Sequence, residues 1–455
     1  LRVIALVDGE HHPRVARAAL DKLQKEHELA GVLFAGGEEK VPPAVLADPA
    51  AHYGRDVTMP GEDVRAALGS LARTCAAEAV VDLSGEPVVD PAARMELAAV
   101  ALHEGLEYRA PGMLLTPPAA PAPETDGVPV VAVIGTGKRT GKTALGTHLA
   151  ALLRESGMET VVVSMGRGGP PEPVVIRAAA RPGLAELLEI ARAGGHAASD
   201  YLEDAVLAGV TTVGCRRCGE GPAGETFESN VHAGLRAALE EEPDVIVLEG
   251  SGAALPPVAA HATVCVTPAA DAGAQALSHL GPLRLLRADL LVLLGAAELA
   301  PSLRGQLDGG LDRWIPRERI VSCALRPRPA EPLEQGARVA CFVTARPGTE
   351  TSLVEGLARE GVKPRHLSTN LARREELARD VEAALRDGCD VFLTELKAAA
   401  VDVVAEAAAG AGVRVVFLRN RPVAEASGPP LDGALLQLVE AARQKAGGRV
   451  TRAGS

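Results

Sequence analysis

Short apolar runs recur along the chain, each closed by glycine or a polar cluster, and they alternate with stretches of helical periodicity. Residues 2–7 are such a run, a helical pattern follows over 14–24, and a second run covers 29–35. A third spans 79–83 and leads into a helix through Arg94 and Leu102. Strands alternating with helices predict a parallel sheet. Such sheets take ligands at the carboxyl ends of their strands. Asp8, Glu10, His11 and His12 follow the first run, and Asp82 to Asp90 close the third, so both clusters fall at that edge. Capping and turn chemistry explain the same residues without a ligand.

The pattern restarts after Thr116 to Pro129, a Pro-rich stretch that reads as a semi-rigid linker. Residues 130–135 are continuously apolar, as in a strand buried on both faces. Leu145, Leu149, Leu152 and Leu153 then mark an amphipathic helix that ends near Gly157. Between strand and helix lies Gly135-Thr136-Gly137-Lys138-Arg139-Thr140-Gly141-Lys142-Thr143. A strand, a glycine loop and a helix opening on Gly-Lys-Thr form a phosphate-binding loop. The loop amides and helix N-terminus face a polyanion, Lys142 neutralises the β/γ-phosphates, and the Thr143 hydroxyl holds Mg²⁺. The loop departs from the usual spacing: Thr136 stands where the first glycine is expected, and Gly135 lies one residue further back. Lys138 and Arg139 add two cations.

Further strands are expected at 160–163, 244–249, 262–267 and 288–294, with a helical region over 183–207. The strand at 244–249 ends in Glu249-Gly-Ser-Gly252, which puts a carboxylate where a P-loop metal needs a ligand or a water anchor. Ser164 to Pro170 reads as a second glycine-rich loop, with Arg167 as an anion-contacting cation. Cys215-Arg216-Arg217-Cys218 reads as a mobile basic loop, and a single Cys-x-x-Cys supplies only two of the four ligands zinc wants. A last α/β unit carries strands at 339–344, 391–393 and 413–418. Arg346 and Lys397 sit at its strand ends, where helix caps and surface charges are the commoner explanation.

The fold expected is α/β: a central P-loop NTPase domain with a parallel sheet, flanked by an N-terminal Rossmann-like domain and a smaller C-terminal α/β domain. Its parts are an N-terminal domain (1–113), a linker (114–129), an ATP-binding catalytic domain (130–330), a C-terminal domain (331–445) and a tail (446–455). Aromatic residues make up 2% of the 455 and the net charge is −12, which argues against a base-stacking nucleic-acid surface. Seven scattered cysteines, no leader-like start and no bilayer-length apolar run predict a soluble cytoplasmic protein without a membrane partner.

The P-loop with Glu249-Gly-Ser-Gly252 resembles the dethiobiotin-synthetase branch of P-loop proteins. Across the whole chain, the resemblance is to the cyclic 2,3-diphosphoglycerate synthetases. It rests on Asp8-Gly-Glu-His-His-Pro13, the P-loop, Ser164-Met-Gly-Arg-Gly-Gly, Gly214-Cys-Arg-Arg-Cys-Gly, Glu249-Gly-Ser-Gly and Thr394-Glu-Leu-Lys397. It implies an ATP- and Mg²⁺-dependent ligase that closes 2,3-bisphosphoglycerate into a phosphoanhydride ring, releasing ADP and phosphate. In that family the product is a compatible solute of heat-adapted organisms. Two phosphate monoesters must then meet. At about 5 Å and an effective dielectric near 20 they repel by on the order of 13 kcal/mol. Lys138, Arg139, Lys142 and Arg167, with Glu249 and Mg²⁺, are the expected catalytic set. Asp8, Glu10, His11, His12, Arg216, Arg217 and Lys397 are the candidates for holding the substrate. A homodimer is expected. A 2-phosphoglycerate kinase, and a nucleotide switch such as a partition ATPase or metal-insertion GTPase, stay open as alternatives. No Asn-Lys-x-Asp follows Leu294, which counts against GTP.

Overall fold

The computed structural model describes residues 1–344, 350–425 and 429–447. Arg346 and residues 448–455, most of the expected tail, lie outside the described residues. The first sheet is built from β1 (Arg2–Val7), β2 (Glu28–Phe34), β3 (Ala79–Asp82), β4 (Glu107–Ala110) and β5 (Met113–Leu115), in the order β2-β1-β3-β4-β5. Its first four strands are parallel and β5 returns antiparallel to β4. The helix Pro13–Glu26 begins at His12, whose imidazole caps Arg14 N at 3.2 Å.

The second sheet has thirteen strands. They are β6 (Val130–Gly135), β7 (Thr160–Gly166), β8 (Val174–Ile176), β9 (Thr211–Cys218), β10 (Glu228–Ser229), β11 (Val245–Glu249), β12 (Ala262–Pro268), β13 (Leu290–Leu294), β14 (Ile320–Pro329), β15 (Val339–Phe342), β16 (His366–Ser368), β17 (Val391–Thr394) and β18 (Arg414–Ala424). The path runs β10-β9-β7-β11-β6-β12-β13-β14-β18-β17-β15-β16, with β8 on β9. From β9 to β14 every pairing is parallel, and β6, β11 and β13 are buried along their whole length, as the apolar runs predicted.

Several expectations change here. The helical region 183–207 is two helices, Leu184–Arg192 and Asp200–Ala208. Ser164 to Gly166 belong to β7 and not to a loop. Cys215 to Cys218 lie in β9, so the basic stretch is a strand and not a mobile loop. Arg328 lies inside β14, which pairs antiparallel with β18 from Cys323↔Ala424 to Pro329↔Leu418 and carries the sheet into the C-terminal unit. The last helix, Leu431–Gly447, packs back on the P-loop helix Lys142–Glu155, with Leu431, Leu435, Leu438 and Val439 against Leu145, Leu149 and Leu153.

The three units share cores. Leu97 and Leu102 of the helix Pro91–His103 join Leu283, Trp314 and Ile134 in one apolar cluster. The Arg65 guanidinium stands 4.8 Å over the Trp314 ring. Leu396, Val401 and Ala405 of the C-terminal unit pack with Leu187, Leu188 and Leu202. This last contact brings the end of β17 against the helix Asp200–Ala208.

Candidate active site

The loop after β6 is shaped around one lysine. Gly141 has a φ of 94°, a left-handed turn that favours glycine, and Lys142 opens the helix. A side chain on Gly135 would place its Cβ 2.4 Å from Thr140 Oγ1 and 3.0 Å from Lys142 Cγ. Glycine there lets the lysine fold back along the loop, where Nζ donates to Gly137 O at 2.7 Å and Thr140 Oγ1 at 3.2 Å. Thr136 Oγ1 is tied to Thr267 Oγ1 at the end of β12 (2.8 Å). Lys138 and Arg139 point to solvent, and Thr143 is half-buried. Burial pulls the Lys142 ammonium down to about 8, although Glu249 and Asp200 favour its charge.

A buried acidic wall faces the lysine. Glu249, the last residue of β11, is 2% exposed. Gly146 of the P-loop helix makes room for it: a Cβ at that position would lie 3.3 Å from Glu249 Cδ. Among the described residues, no N–H or hydroxyl donor reaches either Glu249 oxygen. The group facing it is the carboxyl of Asp204, itself fully buried, with Oδ1 accepting from Thr147 Oγ1 at 3.3 Å. Burial, then the charge of Glu249, push Asp204 well above the usual carboxylate range; burial raises Glu249 too. Beside them Glu203 is raised to about 8 by burial, against the pull of Lys397.

Lys397 reaches this wall from the other unit. Its Nζ lies 3.2 Å from Glu203 Oε1. Burial would lower Lys397, but Glu203 and Glu395 outweigh it and hold the ammonium charged. Glu395 is anchored by Thr344 N and Oγ1 (2.8 and 2.7 Å) and by Asn420 Nδ2 (2.7 Å), so the ends of β15 and β17 and the middle of β18 converge on it.

Two arginines meet just past Glu249. Arg217, 5% exposed, donates to Glu220 Oε2 (2.6 Å), Ser251 O (2.7 Å) and Gly219 O (2.9 Å). Arg167 reaches the same Glu220 oxygen at 3.3 Å. A Cβ on Gly252 would lie 2.5 Å from Arg167 and 2.9 Å from Arg217, so this glycine lets both guanidinium groups close on the turn.

The family models for cyclic 2,3-diphosphoglycerate synthetase match in sequence order: the N-terminal domain over residues 2–116, the P-loop domain over 130–304 and the C-terminal domain over 331–421. The cyclic 2,3-diphosphoglycerate synthetase of Rubrobacter xylanophilus is 42% identical, over 99% of this chain and 100% of its own length. Those of Thermococcus gammatolerans and Methanothermobacter thermautotrophicus are 38% and 36% identical, over 96% and 97% of this chain and 96% of each relative. The chain belongs to the cyclic 2,3-diphosphoglycerate synthetase family. It is a P-loop enzyme of that ATP-dependent class, as the motifs led us to expect, and the relatives give no support to the kinase or the nucleotide switch. The LpxK of Aquifex aeolicus in complex with ATP is 15% identical, over 69% of this chain and 89% of its own, at a TM-score of 0.39, too distant to add to the chemistry.

Other residues singled out in the sequence lie apart from the P-loop cluster. Arg216 points to the opposite side of β9 from Arg217 and pairs with Glu228 at 3.1 Å. The same alternation puts Cys215 and Cys218 on opposite faces, one buried and one exposed, so they neither pair nor share a metal. Burial pushes the Cys215 thiol up to about 12. In the N-terminal sheet, Asp8 is fully committed: Oδ1 accepts from His11 N (3.1 Å) and meets His11 Nδ1 (2.7 Å), and Oδ2 accepts from Gly85 N (2.6 Å). Glu10 pairs with Lys40. The sequence reading missed Asp204, Glu203 and Glu220. Asp204 and Glu203 looked like ordinary helix residues, and the one available signal was acidic side chains on a helix face otherwise meant for packing.

Proposed function

We propose that the chain converts 2,3-bisphosphoglycerate to cyclic 2,3-diphosphoglycerate at the expense of ATP, with Mg²⁺ as the metal and a cytoplasmic homodimer as the working form. The observation that carries this reading is the buried Glu249 carboxyl, which no N–H or hydroxyl donor reaches among the described residues, paired with the buried Asp204 carboxyl and set beside a lysine that heads a phosphate loop. Among the described residues no group of three or more His, Cys, Asp or Glu forms a ready metal cage. Mg²⁺ does not need one: it binds through one or two carboxylates, with substrate phosphates and water completing the octahedron. Thr143 and Glu249 would hold it, with Asp204 behind. Mg²⁺ supplies charge neutralisation of the transferring phosphates.

The remaining work falls to side chains. Lys142 leaves its resting bonds to Gly137 and Thr140 and takes the β/γ-phosphates. Exposed Lys138 and Arg139 shield the transferring group. Arg167, with Arg217 behind it, neutralises the incoming substrate phosphates, and Lys397 brings a positive charge from the C-terminal unit to the same wall. The γ-phosphoryl group passes to an oxygen of one substrate phosphate, breaking its bond to ADP. An oxygen of the second substrate phosphate then attacks the first phosphorus. The bond to the added group breaks, and that group departs as phosphate with one oxygen from the substrate. Proximity of the two phosphates within one site makes closure intramolecular. No protein nucleophile is required.

Substrate carrying ¹⁸O in its non-bridging phosphate oxygens tests the sequence of steps. The reading requires released phosphate with one labelled oxygen; unlabelled phosphate would mean that water, not substrate, accepts the γ-phosphoryl group.

A further inference from the structure

The antiparallel ribbon of β14 and β18, which joins the P-loop sheet to the C-terminal strands, carries an arrangement the reaction does not use. Its register sets Arg326 opposite Arg421 and Arg328 opposite Arg419. Residues two apart on a strand share a face, so all four arginines stand on one side of the ribbon. Like charges directly opposite across a strand pair are destabilising. The nearby acids do not balance them: Glu360 reaches Arg328 at 3.4 Å, and Asp432 reaches Arg421 at 3.9 Å while also bonding His148 at 2.7 Å. Arg419 has a buried Nε without a hydrogen-bond partner among the described residues. The charges that bear on it are cations, Arg154, Arg181 and Arg328, with Glu155 the weaker opposite. Arg326, Arg328 and Arg421 line a cavity of 420 Å³ that Glu360, Pro430, Leu431 and Asp432 help to enclose.

From this geometry we propose that the ribbon cavity is a second anion site, separate from the P-loop, which binds a small polyanion bearing two phosphoryl groups. The two arginine rungs are roughly 7 Å apart along the strands, within reach of both ends of such a ligand. Guanidinium forks suit phosphoryl oxygens, and Arg326, Arg328 and Arg421 present three of them to the cavity. Substrate, cyclic product and inorganic diphosphate share this chemistry. The site stands whether or not ring closure is the reaction, because its binding is read without ATP turnover.

Equilibrium binding of inorganic diphosphate to the full chain, without ATP or Mg²⁺, tests it. In K142A the phosphate loop is disabled and salt-sensitive diphosphate binding should remain. In K142A/R326Q/R421Q it should weaken at least tenfold. Thermal unfolding should not move down in the triple variant, since it relieves repulsion between exposed side chains. Failure of K142A to bind diphosphate, or equal binding by both variants, overturns the site. Repeating the titration with 2,3-bisphosphoglycerate and with the cyclic product separates the sources: tighter binding of the open form assigns substrate, tighter binding of the ring assigns product.

Discussion

Asp82 and Glu249 are each the last residue of a buried parallel strand, one in the N-terminal sheet and one beside the P-loop. Both are almost completely shielded from water, at 1% and 2% exposure. Their surroundings differ in kind. Asp82 Oδ2 accepts from Tyr108 Oη (2.7 Å) and Arg94 Nε (2.8 Å), and Oδ1 accepts from Ser84 N (2.8 Å). Glu249 faces another carboxyl and a lysine that is bonded elsewhere. A buried carboxylate with every lone pair answered is a structural tie. One without donors carries a standing cost that a cation can relieve. Position at a functional edge does not separate the two; satisfaction does.

The contrast breaks most visibly at the lysine. Lys142→Ala should abolish ATP turnover, measured as ADP release, while the fold persists; surviving turnover would remove the phosphate-loop role. Next in size, Glu249→Gln should lower Mg²⁺-dependent turnover by about 10²-fold. It should not lower the unfolding temperature, because a buried charge has been removed. Asp82→Ala should do the reverse. It leaves the Arg94 guanidinium and Tyr108 hydroxyl without their acceptor and should cost about 3–5 kcal/mol in denaturant unfolding. Turnover measured well below the melting range should change little, and a selective loss of activity with unchanged stability would erase the distinction.

The smallest effect is a proton. Lys142 titrates near 8 in the ligand-free protein because burial disfavours its charge. Nucleotide phosphates favour the charged form, so binding at pH 8–9 should take up a proton, and binding at pH 6–7, where the lysine is already charged, should not. ATP affinity should correspondingly fall as pH rises through 8. Calorimetry in buffers of different ionisation enthalpy reads the uptake, and Lys142→Ala should remove it.

The phosphate loop was legible in sequence because its chemistry is local: Gly135, Gly141, Lys142 and Thr143 act within a few residues of one another. Glu249 was legible because an apolar run ended on it. Asp204 was not, since its meaning depends on the helix Asp200–Ala208 packing against β7, β9 and the P-loop helix. The alternation of β9 was hidden by flanking glycines, so Arg216 and Arg217 read as one loop although they serve opposite faces. The arginine ribbon was hidden more deeply. Pro327, Pro329 and Pro422 argue against strands, and the pairing that aligns Arg326 with Arg421 joins residues far apart in the chain. In the N-terminal cluster, Asp8 and His12 sit at the expected edge and also hold the backbone there.

The most direct measurement is phosphorus NMR of the protein with ATP, Mg²⁺ and 2,3-bisphosphoglycerate. Ring closure requires new upfield phosphoanhydride signals on the glycerate, with ADP and free phosphate in equal amounts to it. ADP and phosphate without a new glycerate species, or no consumption of ATP at all, contradicts it.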